Sequence, residues 1–369
     1  MTVFECLTGQ RDVVETLRAA ARGEGMTHAW LFTGPPGSGR SVAARAFAAA
    51  LLCADGGCGE CQSCRHAASG AHPNLMVVQP AGLSISVDEA RKVVRQSSMS
   101  ATAGETHVVV VEDADRLTEH AANAWLKAIE EPPAGGVFLL CAPSPEDLPP
   151  TIRSRCRLVT LRLPSPEDVA EVLVRDGVAP DTARWAAAAA QGHVGRARAL
   201  ATDEEAREQR ARALRLPSRL ATVGSCITAA AELVGAADEE ADRRTKAVAA
   251  AETETLAETV GRGRGTAGLY SDLAKRQKSR ETRAKRDSLD RALVDLAAWY
   301  RDVLSVQLGA TTPLVNADEA DAISATAADS APESTMRRIE AVLACREAIA
   351  ANVTPLLAVE RLTLALRSG

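Results

Sequence analysis

The eight residues from Gly34 to Ser41 have the types and spacing of a loop that binds phosphate. The pattern is glycine, four residues, glycine, a cation and a serine, between an apolar stretch and an alanine-rich segment. In that context backbone N–H groups and the start of a helix can surround phosphate oxygens. A strand-to-helix turn without a ligand is the alternative interpretation. The expected phosphate-binding residues are Gly34, Pro35, Pro36, Gly37, Ser38, Gly39, Arg40 and Ser41.

One residue departs from the usual form of this loop, because Arg40 stands where lysine is normally found. The lysine ammonium is a compact point charge, whereas the guanidinium group is planar and bulkier and prefers bidentate contacts. We therefore expect phosphate binding to survive the exchange and fast turnover to be lost.

Two carboxylates follow a run of four valines, in the order Glu112 and then Asp113. A buried strand would bring them to the sheet edge where Mg²⁺ and an attacking water would lie in a nucleotide site. Common motor ATPases carry aspartate first and glutamate second, so both carboxylates here are displaced by about one C–C bond. We expect this altered pair to be a poor catalyst; a solvated acidic turn is the alternative.

Four cysteines lie within twelve residues in a C-x4-C-x2-C-x2-C arrangement. Four thiolates with glycines between them suit a tetrahedral Zn²⁺ whose coordination shell is closed, which favours a structural metal. An iron–sulfur cluster or unmetallated thiols are the alternatives. The candidate ligands are Cys53, Cys58, Cys61 and Cys64.

Two arginine- or lysine-rich stretches have different interpretations. Arg155, in the stretch "TIRSRCR" at 151–157, lies where a nucleotide domain could present an arginine finger to a neighbouring subunit, or where an arginine is simply solvated. The run at 275–286 has seven Lys or Arg in twelve positions and continues into leucines at helical spacing. We interpret it as the solvated part of a long helix, with contact to DNA or a partner as the alternative.

The order of elements predicts the fold. Five short apolar runs alternate with helical stretches over the first 165 residues, which indicates a doubly wound parallel sheet. Ser165 and Pro166 then open a helical region, as an N-cap and a first-turn proline do. We place the domains at 1–165, 166–211 and 212–369.

The net charge of −5 argues against binding nucleic acid through overall charge. The absence of a long apolar run predicts a cytoplasmic protein that does not bind membranes.

Taken together, these motifs resemble the clamp-loader subunits of bacterial DNA polymerase III, which belong to the AAA+ class. The resemblance is carried by "LTGQ" at 7–10, "HAWLFTGPPGSGR" at 28–40, "HPN" at 72–74, "ISVDEARKV" at 85–93, "EDADRLTEHAANAWLKAIEEPP" at 112–133, "IRSRCR" at 152–157 and the four cysteines. It implies a RecA-like nucleotide domain with a parallel sheet and a zinc module at 53–64, then an α-helical lid and an α-helical collar domain for oligomerisation.

The resemblance also implies a function. A ring of such subunits opens a sliding clamp and places it on primed DNA, and Arg155 would reach the ATP of an adjacent motor subunit. The implied partners are the gamma or tau motor subunits and the delta subunit, with the clamp and primer-template DNA met through the assembled complex. The implied cofactors are a structural Zn²⁺ and, at the loop, ATP or ADP with Mg²⁺.

Departures from the motor pattern indicate which kind of subunit this is. Ala142 and Pro143 stand near the point where motor subunits carry threonines, and Arg196 is a displaced match for the lid arginine that contacts nucleotide. With Arg40 and the altered carboxylates, they favour a subunit that serves its neighbour and has weak or no ATPase activity. The rival hypotheses are a gamma- or tau-type motor ATPase and a zinc-containing DNA-binding module with a vestigial nucleotide fold.

Overall fold

The computed structural model of the chain describes residues 2–80, 82, 84–99, 106–260 and 266–368. They form two compact units, residues 1–201 and 202–369. The strands of the first unit are β1 Ala29–Thr33, β2 Leu75–Val78, β3 His107–Val111, β4 Gly136–Ala142 and β5 Arg157–Thr160. Its helices are α1 Arg11–Ala21, α2 Arg40–Leu51, α3 Gln62–Ser69, α4 Val87–Met99, α5 Glu119–Glu130, α6 Pro150–Arg153, α7 Pro166–Arg175, α8 Pro180–Ala189 and α9 Val194–Thr202.

The strands form one parallel sheet in the order β2-β3-β4-β1-β5. Every residue of β1, β3 and β4 is buried, which explains why these strands are continuous apolar runs rather than alternating ones. Trp30 packs edge-on against Phe47 on one face, and Trp125 packs against Phe138 on the other. Both faces of the sheet are therefore covered by helices, and the predicted α/β fold class is confirmed.

Local sequence signals set the ends of the helices around this sheet. The Thr118 hydroxyl accepts a hydrogen bond from the backbone N–H of Ala121 and starts α5, which ends before Pro132 and Pro133. Ser165 caps α7 through a reciprocal pair of hydrogen bonds with Asp168. The turn between the sheet and the last three helices of the unit is thus encoded in a few residues.

The second unit is helical, as predicted. Its helices are α10 Glu204–Leu214, α11 Val223–Val260, α12 Ala267–Gln307, α13 Ala320–Asp329, α14 Pro332–Ala350 and α15 Pro355–Ser368. Leu293, Leu296 and Val303 of α12 are at the centre of its apolar core. Arg210 is 5% exposed, and its two terminal nitrogens donate to Asp318 and Asn316 at 2.9 and 2.7 Å.

The two compact units divide between residues 201 and 202, and this division does not test a chain of three domains. The boundaries predicted after residues 165 and 211 therefore stay predictions. Asp203 caps α10 by accepting from the Glu205 backbone N–H, and that helix runs through position 212. Among the helices of the described residues, none is both long and apolar enough to cross a membrane.

Candidate functional site

The phosphate-type loop joins the end of β1 at Thr33 to the first residue of α2, Arg40. Gly34 must be glycine, because a Cβ there would lie 2.5 Å from the carbonyl oxygen of Leu161. Gly39 has a φ of 86° and precedes the first turn of α2, which begins without a side-chain cap. The backbone N–H groups at the start of α2 are therefore left to bond with a ligand or with water, as in a loop that binds an anion.

Ser38 gives an independent indication of a ligand at this loop. Its side chain is 3% exposed, and its hydroxyl finds no hydrogen-bond partner among the residues that the structure describes. Buried hydroxyl groups are nearly always satisfied, so an unsatisfied one within a phosphate-type loop indicates an acceptor that the described residues do not supply, and a phosphate oxygen is such an acceptor. The loop therefore suits the phosphate group of a nucleotide.

Arg40, the residue that replaces the usual lysine, bonds to its own loop. Its guanidinium group donates to the carbonyl oxygen of Gly34. A cation held on this carbonyl would have to leave it before it could reach the outer phosphates of a nucleotide. The exchange thus affects the loop through a specific contact as well as through the size of the side chain.

Glu112 lies directly after β3, at the sheet edge where the sequence predicted it, but its carboxylate is fully engaged by the protein. Its Oε1 accepts from Nε of Arg45 at 2.7 Å, and its Oε2 accepts from Nε2 of Gln79 at 2.9 Å. The Glu112 side chain is 14% exposed. The Arg45 guanidinium therefore neutralises the Glu112 carboxylate that would bind Mg²⁺, and a metal ion would have to displace Arg45 from this carboxylate.

The remaining carboxylates at this edge are also constrained. Asp113 has a φ of 51° and lies 3.9 Å from Nε of Arg116. Burial raises the pKa of Asp115, and the negative charge of Asp113 raises it further. The edge therefore holds a crowded set of acids that are partly matched by arginines, rather than an open pair of metal ligands.

A cleft of about 730 Å³ lies over the loop within the first unit. A Cβ on Gly37 would lie 3.0 Å from Cβ of His193, so the start of the α9 segment closes over the loop at this point. The arginines that line the cleft beside Arg40 are Arg175 and Arg198, and Arg198 is paired with Asp176 at 2.7 Å. The lining residues do not include Arg196, whose backbone N–H donates to Nδ1 of His193.

Arg155 lies in the turn between α6 and β5. Its guanidinium group pairs with Oε1 of Glu130 at 2.7 Å and donates to the carbonyl oxygen of Thr151 at 2.7 Å. The side chains of Arg155 and Glu130 are 40% and 45% exposed. Arg155 is thus a surface group that turns toward the end of α5.

The four clustered cysteines meet as the sequence predicted, with all four sulfurs within 4.8 Å of one another. The sulfur of Cys53 lies 3.7 Å from those of Cys58 and Cys61. Zn–S bonds of about 2.3 Å place the sulfurs of a tetrahedral site about 3.8 Å apart. Two of the sulfur pairs therefore already have the spacing of a tetrahedral zinc site, and the other pairs lie within 4.8 Å.

The surroundings of these sulfurs also favour a cation. Burial would raise the pKa of Cys53, but the backbone N–H groups of Cys58, Gly57 and Asp55 outweigh it and lower the pKa to about 6. Burial raises the pKa of Cys64 to about 12, and the neighbouring thiols of Cys61 and Cys53 contribute. The Cys53 thiolate therefore forms readily and its charge opposes ionisation of Cys64, so a positive ion between the two sulfurs would favour both thiolates.

Comparison with known proteins adds the family to this geometry. Residues 9–165 match the family model described as DNA polymerase III, delta subunit, and residues 283–366 match the model of its C-terminal part. A delta' subunit of DNA polymerase III from Bacillus subtilis is 28% identical over 365 residues, which cover 98% of this chain and 97% of that protein. The chain belongs to the DNA polymerase III delta' family.

Two further relatives match shorter parts of this member of the delta' family. The delta' subunit of Pseudomonas aeruginosa is 41% identical over 154 residues, or 40% of this chain and 47% of that protein. The tau subunit of Bacillus subtilis is 34% identical over 158 residues, or 42% of this chain and 28% of that protein. Similarity thus extends to a tau subunit as well as to delta' subunits. The comparisons alone therefore do not say whether this chain hydrolyses ATP, and the contacts around the phosphate-type loop bear on that question.

Sequence reasoning placed the loop, the carboxylates and the cysteines, but it missed the partners that restrain them. Arg45 was not singled out, although it lies five residues after Arg40 on the same helix. Gln79 and Glu130 were missed as well, since Gln79 lies outside the recognised motifs and Glu130 lies in the stretch 112–133 without an assigned role. Only their positions at the ends of β2 and α5 could have indicated that they contact site residues. Those positions can be interpreted only when the order of the strands is known.

Proposed function

We propose that this chain is the delta' subunit of a DNA polymerase III clamp loader, which helps to place a sliding clamp on primed DNA. In this role it donates Arg155 to the ATP of a neighbouring motor subunit and has weak or no ATPase activity of its own. The observation that carries the proposal is the engagement of both Glu112 oxygens by Arg45 and Gln79. Membership of the delta' family supports it independently.

The contacts of the loop explain why nucleotide could bind there without rapid turnover. The loop backbone and the Ser38 hydroxyl would hold the phosphates of ATP or ADP, and Mg²⁺ would supply charge neutralisation when it is bound with them. Arg40 is drawn back to Gly34 and Glu112 is neutralised by Arg45. The cation that should reach the outer phosphate and the carboxylate that should hold Mg²⁺ are therefore both occupied by the chain itself.

Arg155 can serve another site at small cost. Its ion pair with Glu130 is about half exposed, and exposed pairs contribute about 0–1 kcal/mol, so little energy is lost when the pair opens. A planar guanidinium group can then bind two phosphate oxygens of a partner's nucleotide in a bidentate manner. Glu130 would hold the finger in a defined place until that partner arrives.

The proposed partners follow from this role. The motor subunits of gamma or tau type would receive Arg155, and the delta subunit would complete the complex. The clamp and primer-template DNA would be met by the assembled complex. A structural Zn²⁺ on Cys53, Cys58, Cys61 and Cys64 would fix the connection between α2 and α3.

The proposal predicts that the full chain assembles with a candidate motor subunit and a candidate delta subunit from the same organism. Size-exclusion chromatography with light scattering should show one heteromeric peak, and DNA-stimulated ATPase activity should depend on this chain being present. Omitting each subunit in turn is the control. Elution of this chain by itself, with motor activity unchanged by its addition, would contradict the proposal.

A motor ATPase of gamma or tau type is the second candidate function, and the 34% identity to a tau subunit favours it. It requires Arg45 to release Glu112 when Mg²⁺ and ATP bind. The two candidates differ in whether the isolated chain hydrolyses ATP.

A further inference from the structure

The distal parts of α11 and α12 form a helical arm, which we define as residues 242–258 and 267–287. The two helices run antiparallel, because later residues of α12 meet earlier residues of α11: Arg280 pairs with Glu252 at 2.8 Å, and Lys285 pairs with Asp242 at 3.4 Å. Among the described residues, those buried in the two helices end at Ala241 and resume at Ser288. The arm therefore lies beyond the apolar core of the second unit and keeps most of its surface open.

The basic run lies on this arm; six of its seven cations fall into two groups, and the seventh, Arg283, pairs with Asp287 at 3.6 Å on its own helix. Arg280 and Lys285 face α11 and are matched there by Glu252 and Asp242, at 2.8 and 3.4 Å. Lys275, Lys278 and Arg286 share another face with the hydroxyl of Thr282, because the four residues recur at intervals of three and four.

This second face, together with Arg276 beside it, is the basic stripe. Lys275 is 77% exposed and has a single distant partner, Asp272 at 3.8 Å. For Arg276, Lys278 and Arg286, no ion pair within 4.0 Å exists among the described parts of the chain. The stripe therefore has cations without a close acidic partner in the described parts of the chain, although Arg276 attracts Glu252 at longer range.

The chemistry of the stripe favours a phosphate backbone over a protein surface. Protein interfaces have cores enriched in aromatic and methionine side chains and depleted of lysine. The stripe instead combines lysine and arginine with the hydroxyl of Ser271, which are groups that contact phosphate oxygens; the Thr282 hydroxyl already donates to the carbonyl oxygen of Lys278 at 3.0 Å. It also lacks aromatic side chains on which single-stranded bases could stack.

The dimensions also fit a duplex. Lys275 and Arg286 are eleven residues apart, or about 16 Å along a helix. Duplex DNA presents a phosphate on each strand every 3.4 Å or so of its axis, so the stripe can follow the backbone over about five base pairs. A rigid helix with cations on one face needs no rearrangement to make such contacts.

We propose that the basic stripe of the arm binds the phosphate backbone of double-stranded DNA, without regard to sequence. This site is separate from the phosphate-type loop, and the proposal does not depend on the function proposed above. The net charge of the chain is −5, so binding would be local to the arm and strongly weakened by salt.

The test is binding of the full-length chain to a fluorescent random duplex of about 25 base pairs, by anisotropy between about 50 and 200 mM salt. The variant carries glutamine at Lys275, Arg276, Lys278 and Arg286. Each lost phosphate contact lowers the salt slope by about 0.9, so we expect a slope shallower by about three to four and affinity at least about tenfold weaker at low salt. Single-stranded DNA of the same length should bind more weakly than the duplex.

Two further variants separate a charge effect from a structural one. The first exchanges lysine for arginine and arginine for lysine at the four positions, and should keep binding within about threefold. The second removes the same number of exposed cations elsewhere and should behave like the unaltered chain. It carries glutamine at Arg22, Lys92, Lys127 and Arg184.

Failure of the unaltered chain to bind duplex at about 50 mM salt would overturn the proposal and leave an acidic protein as the partner of the stripe. Equal loss of affinity in the scattered-charge variant would overturn it as well, because binding would then reflect total charge.

Discussion

Replacing Arg155 with alanine should abolish ATP turnover at the neighbouring site to which we propose this arginine is donated in a reconstituted clamp loader. An arginine finger contributes about 10³-fold or more to turnover, because it stabilises charge that develops on the transferred phosphate. The side chain is exposed and its partner Glu130 lies on the surface, so the substitution should leave the fold intact. The measurement is DNA-stimulated ATPase activity of the complex assembled with the full-length variant.

Matched variants make this prediction specific. Arg153→Ala removes a nearby exposed arginine, which lies 3.5 Å from Glu146, and should change the rate less than about twofold. Arg155→Lys keeps the charge but not the planar fork, so it should restore only part of the activity. A complex that carries Arg155→Ala and still hydrolyses ATP at the rate of the unaltered complex would rule out the finger role.

The second large effect concerns the cysteine cluster. The chain should retain one zinc per molecule after gel filtration, because the sulfur spacing already matches a tetrahedral site. Structural zinc contributes about 10 kcal/mol or more of apparent binding free energy, much of which becomes folding free energy. Cys61→Ser should therefore release the metal and lower the melting temperature of the first unit by several degrees or more.

Cys6→Ser is the matched control, since Cys6 is exposed and lies outside the cluster. It should leave both the zinc content and the melting temperature unchanged. Metal analysis with atomic emission decides between zinc and iron, and visible absorbance would reveal an iron–sulfur cluster. Protein that folds normally and contains no metal would contradict the prediction.

Features that depend on neighbouring residues could be predicted from the sequence. The valine run before Glu112 predicted a buried strand, and β3 occupies that run. The prolines after Glu131 predicted the end of α5, because proline removes a donor and restricts the residue before it. The cysteine cluster was predictable for the same reason, since its four ligands lie within twelve residues.

Features that depend on distant pairing could not be predicted in this way. Arg45 and Glu112 are 67 residues apart and meet only because α2 and β3 are brought together by the sheet. The arm is a similar case, because the basic run was visible in the sequence but its pairing was not. Which cations of the run are matched by acids depends on which residues of α11 face α12, as Arg280 and Lys285 do.

The central claim is that this chain serves a neighbour's ATP and does not turn over its own. It is tested most directly by measuring ATP binding and hydrolysis by the isolated full-length chain with Mg²⁺, and again after adding the candidate motor subunit. We expect no hydrolysis above background from the isolated chain and a large rise in the mixture, which Arg40→Ala should preserve and Arg155→Ala should remove. Hydrolysis by the isolated chain at the rate of the motor subunit, lost in Arg40→Ala, would contradict it.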